Sequence, residues 1–160
     1  MNFQEYYGKL NLVNAAQIQI THFSTFVTYE EVFKWKWGAT KLKIFSFLAY
    51  SGEINKQQIE SYSKECLRYA IKNKKGLPRG WQNGVVANNV LVSERVTADA
   101  IAFVTSRPDK HFSAFEMPGV YDLSSGSLYF YSGGVIWGAV YDKFIQDYIS
   151  DKFNKTIAYV

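Results

Sequence analysis

The chain of 160 residues holds one cysteine, two histidines and three prolines, and each scarcity removes a class of function. With Cys66 alone no intramolecular disulfide forms. Cys66 falls on the apolar face of an expected helix, where free cysteine packs as a small hydrophobe, whereas a catalytic thiol needs a basic, partly exposed setting. His22 and His111 have no second histidine, cysteine or paired acid at metal-ligand spacing, so no zinc site is expected. The glycines of Gly76–Gly80 and Gly80–Gly84 precede an expected strand, whereas a phosphate-cradling loop must open a helix. A Gly-x-Ser-x-Gly elbow is also missing. These absences imply no metal and no cofactor. No apolar run approaches the roughly 20 residues that span a bilayer, and residues 1–17 lack the charged-then-apolar pattern of a signal peptide. The expectation is a cytoplasmic protein with no membrane partner. Pro78, Pro108 and Pro118 each border an expected element, and there is no repeat, low-complexity tract or long linker, so residues 1–160 read as a single domain.

What the chain has in quantity is rings: 12 Tyr, 12 Phe and 4 Trp. Large rings bury much area each, so a dense core is easily built. Apolar residues at 48% against charged residues at 20% exclude a disordered tail. Net charge is +4 and the isoelectric point about 9.0, a balance that permits nucleic-acid binding without requiring it.

The periodicity alternates between two and about 3.6, which predicts an α/β fold, with α+β as the variant. Phe33-Lys34-Trp35-Lys36-Trp37 alternates ring and lysine as a half-buried strand does. Lys41 to Tyr50 reads as a second strand and Ile18 to Thr28 as a weaker one, together an antiparallel meander. A helix follows from Asn55 to Lys74. Asn55 and Gln58 form a capping-box pattern, and Ile59, Tyr62, Cys66, Tyr69 and Ala70 share one face. Gly76 ends it. Val85 to Ser93 is a strand whose apolar centre suits parallel neighbours. Thr97 to Ser106 is a short helix with Ala98, Ile101, Ala102 and Thr105 facing inward. Residues 111–131 return to strands around a turn at Leu123–Leu128. Trp137 to Phe153 is the last helix, with Val140, Tyr141, Phe144, Ile145, Tyr148 and Ile149 on one side. The order β-β-(β)-α-β-α-β-β-α predicts one mixed sheet with three helices packed against it.

Candidate chemistry is sparse. Lys72, Lys74, Lys75, Arg79, Arg107, Lys110 and His111 gather near Trp81 if the strands at 85–93 and 111–117 run parallel. There the cations suit phosphates, and the indole suits a base. The bland account is that helix C-termini attract lysines. Glu31 with Lys34, and Asp109 with Glu116, are the acids a metal-dependent nuclease would need. The first two point to opposite faces of a strand, however, and the others lie on separate segments, so charge solvation accounts for them. The rings of Phe33 to Trp37 are expected to be covered by a helix. The leading expectation is a non-enzymatic module that binds another protein through its surface. The first alternative is a nucleic-acid binder using residues 72–82 and 107–111. The second is a small-molecule enzyme with His111 as general acid or base and Arg79 holding an anion. Arg79, Trp81, Gln82, Arg107, Lys110 and His111 are the binding candidates.

Overall fold

The computed structural model describes residues 14–34, 40–76, 83–134 and 139–157. The elements are β1 (Ala16–Ile20), β2 (Phe23–Lys34), β3 (Thr40–Tyr50), α1 (Lys56–Asn73), β4 (Asn83–Ser93), α2 (Ala98–Thr105), β5 (Ala114–Asp122), β6 (Ser127–Phe130) and α3 (Ala139–Ile157). The six strands form one mixed sheet in chain order. β1, β2 and β3 are an antiparallel meander, β3, β4 and β5 are parallel, and β6 returns antiparallel on β5. This is the expected α/β architecture. The weak strand of the sequence pattern proves to be two, because Thr21 takes a left-handed φ of 53° and turns the chain between β1 and β2.

Two parallel pairings require two crossovers, and α1 and α2 supply them. Both helices land on the same face, as successive right-handed crossovers running in one direction do. Their layer includes Phe45, Phe47, Ile59, Tyr62, Cys66, Leu91 and Val104. The opposite face carries Leu42, Ile44, Val86 and Val90 under Ile145, Ile149, Phe153 and Ile157 of α3. β4 is therefore apolar on both sides, which is why its centre shows no alternation. Lys43, at the α1 face, is buried, and its ammonium donates to the Lys75 carbonyl just past the end of α1. Burial, with Lys74 nearby, lowers its pKa.

α1 starts as its sequence implies. Asn55 Oδ1 accepts from the Gln58 backbone at 3.0 Å, and Gln58 Oε1 accepts from the Asn55 backbone at 3.0 Å. Ile59, Tyr62, Cys66 and Ala70 are buried as expected, and Ser63 and Leu67 join them. α2 departs from expectation. Ala100 and Val104 are its buried residues, while Ala98, Ala102 and Thr105 are exposed and Ile101 is half-buried. Its sequence is apolar nearly all round, so α1 and β5 decide the inward face and periodicity does not. Phe33 is also not covered, being 47% exposed at the end of β2. The rest of that ring-lysine alternation, residues 35–39, lies outside the described residues. Among the described residues no helix is long and apolar enough to cross a membrane.

Candidate functional site

The parallel run of β4 beside β5 brings the segment before β5 onto the α1 face. His111 and Ala114 close a small bridge through the turn Phe112-Ser113. Ser113 holds a left-handed φ of 47° there, a conformation that costs a non-glycine residue on the order of 1 kcal/mol. The Val85 amide pins that turn to β4 by donating to the Ser113 carbonyl at 3.1 Å. The effect is to aim the His111 ring back along β5 toward Glu116.

Glu116 is the centre of the site. It projects from β5 toward α1 with a side chain only 9% exposed. Burying a carboxylate is unfavourable unless its oxygens accept hydrogen bonds. Ser63 of α1 donates its hydroxyl to Oε1 at 2.5 Å, and Asn89 of β4 donates Nδ2 to the Ser63 oxygen at 3.0 Å. The Asn89 bond fills the acceptor side of Ser63 and so directs the serine proton at Glu116. Oε2 is 2.9 Å from His111 Nε2. A carboxylate only accepts, so Nε2 carries a proton, and Nδ1 is left as the atom that takes or releases one. The His111 side chain is 35% exposed, reachable from solvent yet held.

Around this pair lies a cleft of about 370 Å³, a volume suited to a small molecule. One wall is the outward side of α1: Glu60, Lys64, Leu67 and Arg68. The other is Phe103 and Ser106 from the end of α2, followed by Arg107, Pro108 and Asp109, with Glu116 and Pro118 along β5. Lys64 donates to Glu60 at 2.7 Å, which raises its pKa, and the negative charges of Glu116 and Asp109 add to the effect. Arg68 pairs with Glu65. The lining thus holds three cations (Lys64, Arg68, Arg107), three acids (Glu60, Asp109, Glu116) and one histidine. Among the described residues no group of three His, Cys, Asp or Glu side chains is placed to hold a metal ion.

The residues singled out in the sequence divide. His111 and Arg107 line the cleft, and Lys110 is exposed in the same loop without lining it. Arg79, Trp81 and Gln82 lie outside the described residues. Lys72 and Lys75, exposed at the end of α1, do not line the cleft; His111 faces the middle turns of the helix instead. His22 is exposed at the β1–β2 turn, its ring centroid 4.0 Å from that of Phe23. Cys66 is fully buried, and burial pushes its thiol well above the ordinary range. Glu31 pairs with Lys41 at 3.1 Å and accepts from the Tyr29 phenol at 2.6 Å. Asp109 and Glu116, separate in the sequence pattern, line one cleft. Sequence reasoning passed over Ser63, Lys64 and Asn89 entirely. The available signal was polarity where the pattern demands apolar residues: Asn88-Asn89 inside β4 and Glu116 inside β5. The chain matches no family model, no curated protein and no solved structure.

Proposed function

We propose that the cleft between α1, α2 and β5 is the working site of a small-molecule enzyme, with His111 as its general acid or base. The single observation that carries this reading is the hydrogen-bonded pair of His111 and buried Glu116 at the wall of a ligand-sized cleft. A carboxylate that holds one ring nitrogen sets the imidazole's orientation and supports the cation formed when the other nitrogen takes a proton. Ser63 and Asn89 hold that carboxylate in turn. The near-balanced charges of the lining suit a small polar substrate with ionic groups. Leu67, Phe103, Pro108 and Pro118 supply apolar surface for its carbon skeleton. Arg107, which lines the cleft, takes the anion-holding role expected of Arg79.

Thermal-shift and NMR titration against amino acids, small carboxylates and phosphate monoesters tests this. The expected result is saturable binding of one class, with shifts at His111, Lys64 and Arg107. Arg107→Ala should weaken it, while His111→Gln abolishes turnover of the bound compound and leaves the fold intact. Binding that ignores both substitutions would overturn the reading. The protein-interaction reading has less support. Among the described residues the exposed large apolar side chains are Phe33 and Phe112, at the end of β2 and before β5, and an exposed apolar side chain here and there is ordinary.

A further inference from the structure

The His111 cleft opens where α2 stops. The 8 residues of α2 rise about 12 Å, whereas the 9 residues of β5 extend about 30 Å. The helix therefore leaves the first half of β5, with Glu116, open beside α1. Residues 106–109 then form the second wall with Phe103. The last carbonyls of a helix carry partial negative charge, which favours a cation and disfavours an anion. Phe103 and Ser106, at the end of α2, line the cleft, so that polarity faces the ligand. A phosphate group suits the opposite end of a helix.

The charged side chains narrow the ligand further. Lys64 is matched by Glu60 at 2.7 Å, and Glu116 by Ser63 and His111. On the loop wall Arg107 and Asp109 bring one exposed charge of each sign, with Pro108 between them. The charges of Asp109 and Glu116 both reach Lys64, so the loop wall and the helix wall face one space. Proline fixes its own φ and keeps the residue before it extended, which sets the Cα atoms of Arg107 and Asp109 about 6–7 Å apart. The two charges of an α-amino acid sit two bonds apart, about 2.5 Å. A charge-assisted hydrogen bond of about 2.8 Å at each end extends that to about 8 Å, within reach of two flexible side chains so spaced. A simple carboxylate would satisfy Arg107 but meet Asp109 and the end of α2 unopposed, and a simple amine would do the reverse.

We propose that the substrate of this cleft is a small α-amino acid with an apolar side chain, an assignment that rests on the reading of the cleft as the working site. Arg107 holds the carboxylate, Asp109 and the end of α2 hold the ammonium, and Leu67, Phe103 and Pro118 receive the side chain.

The test uses the full chain, ¹⁵N-labelled, with L-leucine as probe. Two analogues each lack one charge: isocaproate has no ammonium, and isopentylamine has no carboxylate. L-Leucine is expected to bind saturably, with shifts at Phe103, Asp109 and His111. Each analogue should bind at least about tenfold more weakly, the scale of one lost charged hydrogen bond. Asp109→Asn should erase the preference for leucine over isocaproate and keep the preference over isopentylamine, and Arg107→Gln should do the converse. Both residues are exposed, so both variants are expected to fold. The proposal is overturned if either analogue binds as tightly as leucine, or if the two variants discriminate as the parent does. Isocaproate or a phosphate monoester that shifts His111 where leucine does not would overturn the amino-acid assignment and leave the cleft as a site. No shift at the cleft residues from any of these compounds would overturn both.

Discussion

Glu116 follows Ala114 and Phe115 and precedes Met117 in a strand that is buried almost throughout, and the site depends on how that one carboxylate is satisfied. Ser63 and His111 occupy its two oxygens, and those hydrogen bonds offset the cost of burying it. Cys66, one turn along α1 from Ser63, shows the reverse case. It is buried in apolar surroundings, and its thiol is pushed up by that burial. In the native protein at neutral pH, Cys66 is expected to be inert to a disulfide thiol reagent and to react fully once guanidinium unfolds the chain. Reaction of the native protein at a free-thiol rate would contradict its placement. Asp122 provides a pH-dependent residue. Partial burial works to raise its pKa, but bonds donated by Ser124 and Ser125 outweigh it and leave the carboxyl below its ordinary value of 3.8. A depressed acid contributes stability that is present above the ordinary value and lost as pH falls through the folded one. Asp122→Ala should cost about 1 kcal/mol at neutral pH, and the difference from the parent should shrink at acid pH, as read from urea melts.

At the scale of elements, what the sequence revealed depended on whether one partner or several decided the outcome. The capping box of α1 is local, four residues long, and was readable from Asn55 and Gln58. Asn55→Ala is expected to destabilise the protein by about 1 kcal/mol in chemical denaturation, because the Gln58 amide loses the Asn55 side-chain oxygen that accepts its hydrogen bond. An unchanged midpoint would show that the cap is redundant. The inward face of α2 was not readable. Its residues are apolar on several sides, so α1 and β5 select Ala100 and Val104. The strands lie between these extremes. β4 announced its burial through Val90-Leu91-Val92, yet the polar doublet Asn88-Asn89 sits beside that run. Those two residues point to opposite faces, one toward Ser63 and one under α3. An interruption that short disappears in a pattern tuned to periodicity, although it puts a buried polar side chain on each face of the strand. Glycine at 119 is an element-scale constraint as well. A Cβ there would stand 3.3 Å from the Tyr129 carbonyl and 3.2 Å from Val90 Cγ2, so Gly119→Ala is expected to lower the melting temperature by loosening the β5–β6 pairing.

For the whole molecule, the sheet works as a partition. The α1 and α2 face carries the His111 cleft, and the α3 face carries the buried cross-strand neighbours Thr28, Ser46 and Asn88. The order of strands and helices was legible because each element has its own period and its own stop signal. The site was legible only in its loop half, Arg107 to His111, because those residues are polar where polarity is cheap. Its other half comes from α1 and β5, and although the parallel strand was expected and Glu116 was noted as an acid, no local pattern places Ser63 of α1 against Glu116. The measurement that tests the central claim most directly is the long-range ¹⁵N–¹H spectrum of the His111 ring. The account predicts that the neutral ring, wherever in pH it is observed, is a single tautomer with the proton on Nε2, averaging to a mixture in Glu116→Ala. A mixture of tautomers in the parent protein, unchanged by Glu116→Ala, would make His111 a solvated loop histidine and remove the site.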